Sequence, residues 1–188
     1  MTDWQRRRER MVRRQLAARG IRDERLLEAF RQVPREQFVP PDVQGAAYED
    51  GPLPIGEGQT ISQPFIVAMM ADLLELEADD RILEIGAGSG YAAAIMSRIV
   101  KKVYGVERSA ALARETQRRL ARLGYDNVEI LHGDGTRGWP EHAPFDGIVA
   151  AAAAERVPRE LQQQLAVGGR LVLPVGPPLG AQYLVRLT

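Results

Sequence analysis

The sequence has 188 residues, 45% of them hydrophobic and 27% charged, which is enough length to bury a substantial core and is an ordinary globular composition. Basic and acidic residues balance at 25 each, so the whole molecule has no general attraction to nucleic acid or membrane surfaces. It contains no cysteine and two isolated histidines, which excludes disulfides, thiol catalysis and a metal cluster built on histidine. With no bilayer-length apolar run and no signal-peptide pattern, we expect a cytoplasmic monomer with one domain over 1–188.

The N-terminal third has an uneven charge and ends in a region without periodicity. Residues 1–31 contain ten arginines and five acidic residues, which is typical of a solvated basic helix face; a docking surface for acidic partners is the alternative. Apolar spacing predicts an amphipathic helix over 3–18 and another from Asp23 to Pro34. Proline and glycine predict a loop from 34 to 62, and loops of this length are more often functional than idle. We expect 1–62 to pack as a helical and loop extension.

Ser62 stands at the start of the next predicted helix, which spans 62–76. Serine is a favoured N-cap residue because its hydroxyl accepts a hydrogen bond from a free N–H of the first turn. Capping alone would therefore explain a serine at this position.

A strand followed by a glycine turn is the most informative local pattern. Arg81 to Ile85 is a short apolar, β-branched run typical of a buried parallel strand, and a helix is predicted over 91–99. Between them, glycines occur at three alternate positions, Gly86, Gly88 and Gly90. Glycines at a helix N-terminus leave backbone N–H groups open to a nucleotide, so the pattern predicts a nucleotide-cofactor site.

The identity of the cofactor depends on two neighbouring residues. The dinucleotide fingerprint needs a glycine where this chain has Tyr91. Glu84 places a carboxylate inside the predicted strand, which is costly unless a positive charge pairs with it. S-adenosylmethionine carries both an ammonium and a sulfonium and would supply that partner. A plain glycine-rich turn, with Glu84 tilted into solvent, is the simpler alternative.

Three further residues follow predicted strands. Strands are predicted over 102–106, 127–132, 145–150, 170–175 and 182–187, helices over 109–124 and 158–165, and a turn at 168–169. Glu107 ends the first of these strands, where an acidic residue binds ribose hydroxyls in doubly wound sheets; an exposed strand-end glutamate is the alternative. Asp134 could accept a hydrogen bond from an adenine amino group or belong to a plain β-turn. Ala150 would let a ligand approach the backbone closely.

Strands alternate with helices along the chain, which predicts an α/β fold with a doubly wound, mostly parallel sheet. In such sheets ligands bind at the carboxyl ends of the strands. The residues predicted to meet there are Glu84, Gly86–Gly90, Glu107, Asp134 and Ala150.

These motifs together resemble the protein-L-isoaspartate (D-aspartate) O-methyltransferase family. The matching words are Leu53-Pro-Ile-Gly-Glu-Gly-Gln-Thr-Ile-Ser-Gln-Pro64, Leu83-Glu-Ile-Gly-Ala-Gly-Ser-Gly-Tyr91, Val103-Tyr-Gly-Val-Glu107 and Gly168-Gly-Arg-Leu-Val-Leu-Pro-Val-Gly176. Other methyltransferases share the glycine turn, whereas Gln59-Thr-Ile-Ser62 is specific to this family. The resemblance implies a Rossmann-like class I methyltransferase fold.

By this resemblance, the cofactor is S-adenosylmethionine and the acceptor is the carboxylate of an isoaspartyl or D-aspartyl residue in damaged proteins and peptides. The ester would then cyclise to a succinimide, which reopens partly to normal aspartate. The resemblance makes Ser62 the active-site serine and Glu107 the ribose ligand. The predicted cofactor-binding residues are Glu84, Gly86, Ala87, Gly88, Gly90, Glu107, Arg108, Asp134, Gly135 and Ala150. The predicted substrate-binding residues are Gln59, Thr60 and Ile61.

Two departures from the family pattern leave other functions open. The family often has threonine where Ala151 stands, and its members continue past Thr188 through another strand, so we expect a truncated C-terminal strand region. The alternatives are a class I methyltransferase with another substrate and an S-adenosylmethionine-binding module with weak or no catalysis. A nicotinamide oxidoreductase is more distant because of Tyr91.

Overall fold

The computed structural model describes residues 1–177 and 180–188. Its α-helices are α1 (Asp3–Met11), α2 (Glu24–Gln32), α3 (Pro64–Leu73), α4 (Tyr91–Met96), α5 (Ala110–Leu123) and α6 (Arg159–Gln163). Its strands are β1 (Leu53–Gly56), β2 (Gln59–Ile61), β3 (Arg81–Ile85), β4 (Lys102–Glu107), β5 (Val128–His132), β6 (Phe145–Ala150), β7 (Leu165–Val175) and β8 (Tyr183–Leu187).

Six strands form one sheet in the order β5-β4-β3-β6-β7-β8. All neighbours are parallel except β7 and β8, which are antiparallel. The strand order reverses between β3 and β6, so the carboxyl end of β3 lies at the topological switch point, where doubly wound sheets bind ligands. The predicted α/β fold class is confirmed, and the glycine turn lies at this point.

Helix α5 shows how local sequence fixes the elements around the site. The Ser109 hydroxyl caps it by accepting a hydrogen bond from Leu112 N, and Gly124 ends it in the left-handed conformation with φ of 76°. Leu112, Thr116 and Leu120 form part of its buried face. Both predicted ends of this helix are confirmed.

The N-terminal segment is helical as predicted but changes geometry along its length. Helix α1 continues through a π-helical turn, Val12–Leu16, and a 3₁₀ turn, Ala17–Arg19, before Gly20 ends it. Met11 and Phe30 belong to the same buried cluster as Ile82 on β3. The N-terminal helices therefore belong to the same hydrophobic core as the central sheet, with α2 packed against α4. Within the described residues, no helix combines the length and apolarity that crossing a membrane requires.

The region from 34 to 62 contains regular secondary structure, so the prediction of a loop over its whole length was wrong. It contains two 3₁₀ helices and the antiparallel hairpin of β1 and β2. Glu57 and Gly58 connect the strands with positive φ angles of 52° and 68°, the geometry of a two-residue hairpin turn. Because the region is rich in proline and glycine, it was predicted as a loop, although Leu53 and Ile55 have the alternate spacing of a strand.

Ser62 is not the N-cap of α3. The helix begins at Pro64, its cap position is Gln63, and no side chain caps it. Proline favours the first helical position because its φ is preset and it has no N–H to satisfy, so the helix starts later than predicted. Ser62 is left between the end of β2 and α3, and its hydroxyl is not used in helix capping.

Several other predicted boundaries move. Helix α4 ends at Met96 and α6 at Gln163, earlier than expected. Strand β7 already begins at Leu165, so Gly168 and Gly169 lie inside the strand rather than in a separating turn. The register against β6 shifts at this point, which is the effect of a β-bulge.

Candidate active site

The turn after β3 is anchored on the neighbouring strand. The N–H groups of Gly86 and Ala87 both donate to the carbonyl oxygen of Val106, at 2.8 and 3.2 Å. Gly86 and Gly88 have positive φ angles of 83° and 52°, a conformation that side chains with a Cβ rarely adopt. This geometry turns the chain sharply at the carboxyl end of β3.

Helix α5 supports the same turn from the opposite side. A Cβ on Gly90 would lie 2.7 Å from the Cγ2 atom of Thr116, so this glycine permits close packing of α5. Thr116 Oγ1 donates to Gly88 O at 2.6 Å, and Arg119 Nη1 donates to Ser89 O at 3.0 Å. Neither support was predicted from the sequence. Gly90 lies outside the cleft, and its cofactor role stays a prediction.

A partly open cleft with a cavity volume of about 60 Å³ lies beside the turn. It brings together seven of the predicted site residues, Thr60, Ile61, Ser62, Glu84, Gly86, Ala87 and Gly88. Its other lining residues are Val67, Met70, Ala71, Ser89, Tyr91, Ala92, Met96, Val149 and Ala151. The predicted substrate segment and the predicted cofactor turn therefore form walls of one cleft.

Glu84 places a carboxyl group with an unsatisfied oxygen in this cleft. The residue is 3% exposed, and its Oε2 atom has no hydrogen-bond partner among the described residues. Burial raises the pKa of Glu84 to about 8, and the negative charge of Glu107 adds to the increase. A cationic group in the cleft would compensate this carboxylate when it ionises. The ammonium of S-adenosylmethionine fits that requirement.

Glu107 lies behind the turn rather than in the cleft lining. It is 1% exposed, and its carboxylate accepts hydrogen bonds from Gly88 N at 2.9 Å and Ser109 N at 2.8 Å. Gln59 Nε2 donates to Glu107 Oε1 at 3.3 Å, so the hairpin reaches across to the end of β4. An exposed strand-end glutamate, the alternative considered from the sequence, is excluded. Its role as ribose ligand stays a prediction.

The remaining predicted cofactor residues surround the strand ends. Asp134 is exposed, and its Oδ1 atom accepts from the backbone N–H and the hydroxyl of Thr136, which lowers the pKa of Asp134. Gly135 packs so closely on Ile85 that a Cβ would lie 2.5 Å from its Cγ2 atom. Arg108 is exposed.

Ala150, at the end of β6, is buried and pairs with Ile85 in the sheet. The following residue, Ala151, which the sequence showed to depart from the family pattern, lines the cleft.

Ser62 is half-buried and directly follows the second strand of the hairpin. Within the described parts of the chain, no group hydrogen-bonds its hydroxyl. Its carbonyl oxygen accepts a 2.9 Å hydrogen bond from Arg35 Nη2. The next residue, Gln63, donates from Nε2 to Asp50 Oδ1 at 2.7 Å. The backbone of Ser62 is thus held through its carbonyl oxygen, and its neutral hydroxyl is available to a ligand.

Two residues near the cleft carry no functional prediction from the sequence. Tyr91 was used only as a departure from the dinucleotide fingerprint, yet it lines the cleft and its buried hydroxyl has no hydrogen-bond partner among the described residues. Arg35 is fully buried, although the sequence around it is typical of a loop. The flanking residues, Val33-Pro34 before it and Glu36-Gln37 after it, give no local signal of its burial.

The arrangement suits transfer chemistry between two charged small groups. An acidic group can hold a cation on one wall, and a neutral hydroxyl can orient an acceptor on the other. Among the described residues, no group of three histidine, cysteine, aspartate or glutamate side chains is arranged to hold a metal ion.

Comparisons with known proteins agree with this geometry. A family model described as Protein-L-isoaspartate(D-aspartate) O-methyltransferase matches residues 6–188. The Protein-L-isoaspartate O-methyltransferase 2 of Pelobacter propionicus is 60% identical over 181 residues, covering 96% of this chain and 80% of that protein.

Solved structures support the same relationship. A protein-L-isoaspartate O-methyltransferase is 35% identical with a TM-score of 0.81, over 89% of this chain; the chain spans 55% of its length. A Plasmodium falciparum protein described as the same enzyme, in complex with S-adenosyl-L-homocysteine, is 26% identical with a TM-score of 0.80, covering 96% of this chain and 89% of that one. The chain therefore belongs to the protein-L-isoaspartate (D-aspartate) O-methyltransferase family.

Proposed function

We propose that the chain transfers a methyl group from S-adenosylmethionine to the free carboxylate of L-isoaspartyl and D-aspartyl residues in damaged proteins, which starts their repair through a succinimide. The observation that carries the proposal is the shared cleft, where Glu84 lies on one wall and the segment Thr60 to Ser62 on another. Family membership over 6–188 supports the substrate class. A cytoplasmic monomer that binds neither nucleic acid nor membrane belongs to the same proposal.

The residues of the cleft have roles that follow from the charges of the reactants. When bound, S-adenosylmethionine supplies an electrophilic methyl group on a positively charged sulfur, which leaves as a neutral thioether. Glu84 would hold its ammonium, because this buried carboxyl has a free oxygen. Glu107 would bind its ribose from the end of β4. Glycines at positions 86 and 88 would let the ligand approach the backbone.

The acceptor needs orientation more than activation. A side-chain carboxyl with a pKa of about 4 is already ionised near neutral pH, so no general base is required. The reaction joins an anion to a cation and neutralises both, and a cleft with little water favours that step. The mainly apolar lining, which includes Val67, Met70 and Val149, makes the surroundings of the reacting groups less polar than water.

The hydroxyl of Ser62 suits the orienting role because it is neutral. A lysine or arginine touching the acceptor would stabilise the carboxylate more than the transition state, in which that charge is disappearing, and would slow transfer. A hydroxyl can donate one hydrogen bond to the acceptor without that penalty. Gln59, Thr60 and Ile61 would contact the peptide around the acceptor.

The direct test uses two peptides that differ only in the linkage of one residue. The protein is incubated with S-adenosylmethionine labelled on its methyl group and either an isoaspartyl peptide or the matching aspartyl peptide. We expect base-labile label in the isoaspartyl peptide alone. Label in neither peptide, together with tight binding of S-adenosylhomocysteine, would favour the binding-module alternative. Equal labelling of both would indicate another substrate class.

A further inference from the structure

Arg35 is a fully buried cation that directly contacts the backbone of Ser62. Its side chain has 0% exposure. Its Nε atom donates to Ala47 O at 2.8 Å, and its Nη2 atom donates to Ser62 O at 2.9 Å. The guanidinium lies 4.8 Å from the ring centroid of Tyr91, while its Nη1 atom has no hydrogen-bond partner among the described residues.

Such an arginine is costly to the fold. Within 1–177 and 180–188, no carboxylate forms a salt bridge with Arg35, whereas the nearby Arg8 pairs with Glu36 at 3.2 Å. Burial without an acidic partner lowers the pKa of Arg35, because the charged form is desolvated. Well-packed apolar residues are often as stable as buried charges, or more so. A buried charge is therefore not required for a stable core at this position, which directs attention to the contact of Arg35 with Ser62.

The position of Arg35 indicates what that role is. The side chain lies behind the hairpin and reaches Ser62 through its carbonyl oxygen, not through its hydroxyl. Tyr91, which packs against the guanidinium, also lines the cleft. Arg35 itself is not part of the cleft lining. It can therefore act on the site without touching the acceptor carboxylate, where a direct arginine contact would oppose transfer.

We propose that Arg35 is a positioning residue that fixes the backbone of Ser62, so that the serine hydroxyl stays directed into the cleft during methyl transfer. The inference rests on the proposed function of that hydroxyl. The planar guanidinium is suited to this because it donates to two carbonyl groups, of Ala47 and Ser62, with one rigid fork. A lysine keeps the charge but presents a single flexible donor group.

The test is a double-mutant cycle on the methylation of an isoaspartyl peptide, with wild type, R35K, S62A and R35K/S62A. If Arg35 acts through Ser62, R35K should lower kcat about tenfold in the wild-type background and less than about twofold in the S62A background. The dissociation constant for S-adenosylhomocysteine should change little in R35K. The matched control is Arg8→Lys, which perturbs a buried ion pair in the same region and should lower the melting temperature with kcat within about twofold.

A purely structural role would give a different pattern. The same fractional loss of kcat from R35K in both backgrounds, or an unchanged kcat in R35K, would contradict the inference. If R35K does not fold, R35Q, which removes the buried charge and keeps a donor, takes its place in the cycle with the same expectations. Wild-type protein that transfers no methyl group would contradict the proposed function itself, whereas active wild type with unaffected Arg35 variants would contradict only the inference.

Discussion

The hydroxyl of Thr116 donates a 2.6 Å hydrogen bond to the carbonyl oxygen of Gly88. The N–H of the same glycine donates to Glu107 Oε2 at 2.9 Å. Both polar groups of Gly88 are therefore fixed by residues outside the turn, one on α5 and one at the end of β4. This arrangement preorganises the proposed cofactor turn, which lowers the ordering cost of binding.

Replacing Thr116 by valine should weaken cofactor binding, since valine has nearly the same shape but no hydroxyl. The buried carbonyl of Gly88 would lose its partner at a cost of about 1–3 kcal/mol. We expect a lower melting temperature and about tenfold weaker binding of S-adenosylhomocysteine by titration calorimetry. Thr116→Ser, which keeps the hydroxyl, is the control and should stay close to wild type. Unchanged affinity in the valine variant would show that the turn does not need this support.

Substitutions of Ser62 and Glu107 should impair different steps, methyl transfer in the first case and cofactor binding in the second. Ser62→Ala removes the orienting hydroxyl from the cleft and should reduce kcat for an isoaspartyl peptide by about tenfold or more, with S-adenosylhomocysteine affinity nearly unchanged. Glu107→Gln should instead weaken S-adenosylhomocysteine binding, because its proposed ribose contacts and its hydrogen bonds to Gly88 and Ser109 lose their charge.

The matched control for Glu107 is Glu57→Gln, which alters an exposed carboxylate on the hairpin. It should leave kcat and S-adenosylhomocysteine affinity close to wild type. Full turnover by Ser62→Ala would remove the role assigned to that hydroxyl.

Cofactor affinity should depend on pH through Glu84. Its pKa is raised to about 8 in the free protein, so below that pH the carboxyl is protonated and does not attract an ammonium. Binding of S-adenosylhomocysteine, which has an ammonium but no sulfonium, should strengthen as pH rises toward about 8, by up to about tenfold per pH unit. Calorimetric titrations at several pH values measure this slope.

Glu84→Gln is the control, and its affinity should be weak and nearly independent of pH over the same range.

The folding stability of the free protein should show the opposite dependence on pH. Because the folded-state pKa lies above the unfolded value, the contribution of Glu84 to stability is lost as pH rises from about 4.5 to about 8. Glu84→Gln should therefore melt above wild type at alkaline pH and close to it below about pH 4.5. A wild-type affinity without pH dependence would contradict the assignment of Glu84.

Gly90→Ala should destabilise the fold. The new Cβ would lie 2.7 Å from Thr116 Cγ2, at a φ of 82° that disfavours alanine. The close contact and the unfavourable backbone angle together should cost about 2–4 kcal/mol of unfolding free energy, measured by urea denaturation. Gly45→Ala is the matched control, since nothing lies within 4 Å of its added Cβ, and should change stability by less than about 1 kcal/mol. Equal stability of the two variants would rule out close packing at Gly90.

Much of the sheet could be predicted because its strands are short, buried and followed by clear turn or cap residues. Arg81–Ile85 and Phe145–Ala150 match the predicted strands, and Ser109 and Gly124 mark the ends of α5. The hairpin at Leu53–Ile61 was missed because its turn, Glu57-Gly58, lacks the usual Asn-Gly or Asp-Gly sequence and its strands are very short.

The parts of the site that depend on long-range contacts could not be predicted. Arg35 reaches Ser62 across 27 positions, and Thr116 reaches Gly88 across 28. Neither pairing leaves a local pattern, since both form only when the fold brings distant segments together. The prediction that Ser62 caps α3 was wrong for a local reason, because Pro64 sets the start of this helix.

A crystal structure of the protein with S-adenosylhomocysteine tests the central claim most directly. We expect the ligand to lie along the carboxyl ends of β3 and β4, with its amino group hydrogen-bonded to Glu84 and its sulfur facing the hydroxyl of Ser62. A complex in which Ser62 points away from the sulfur, with another group between them, would contradict the account.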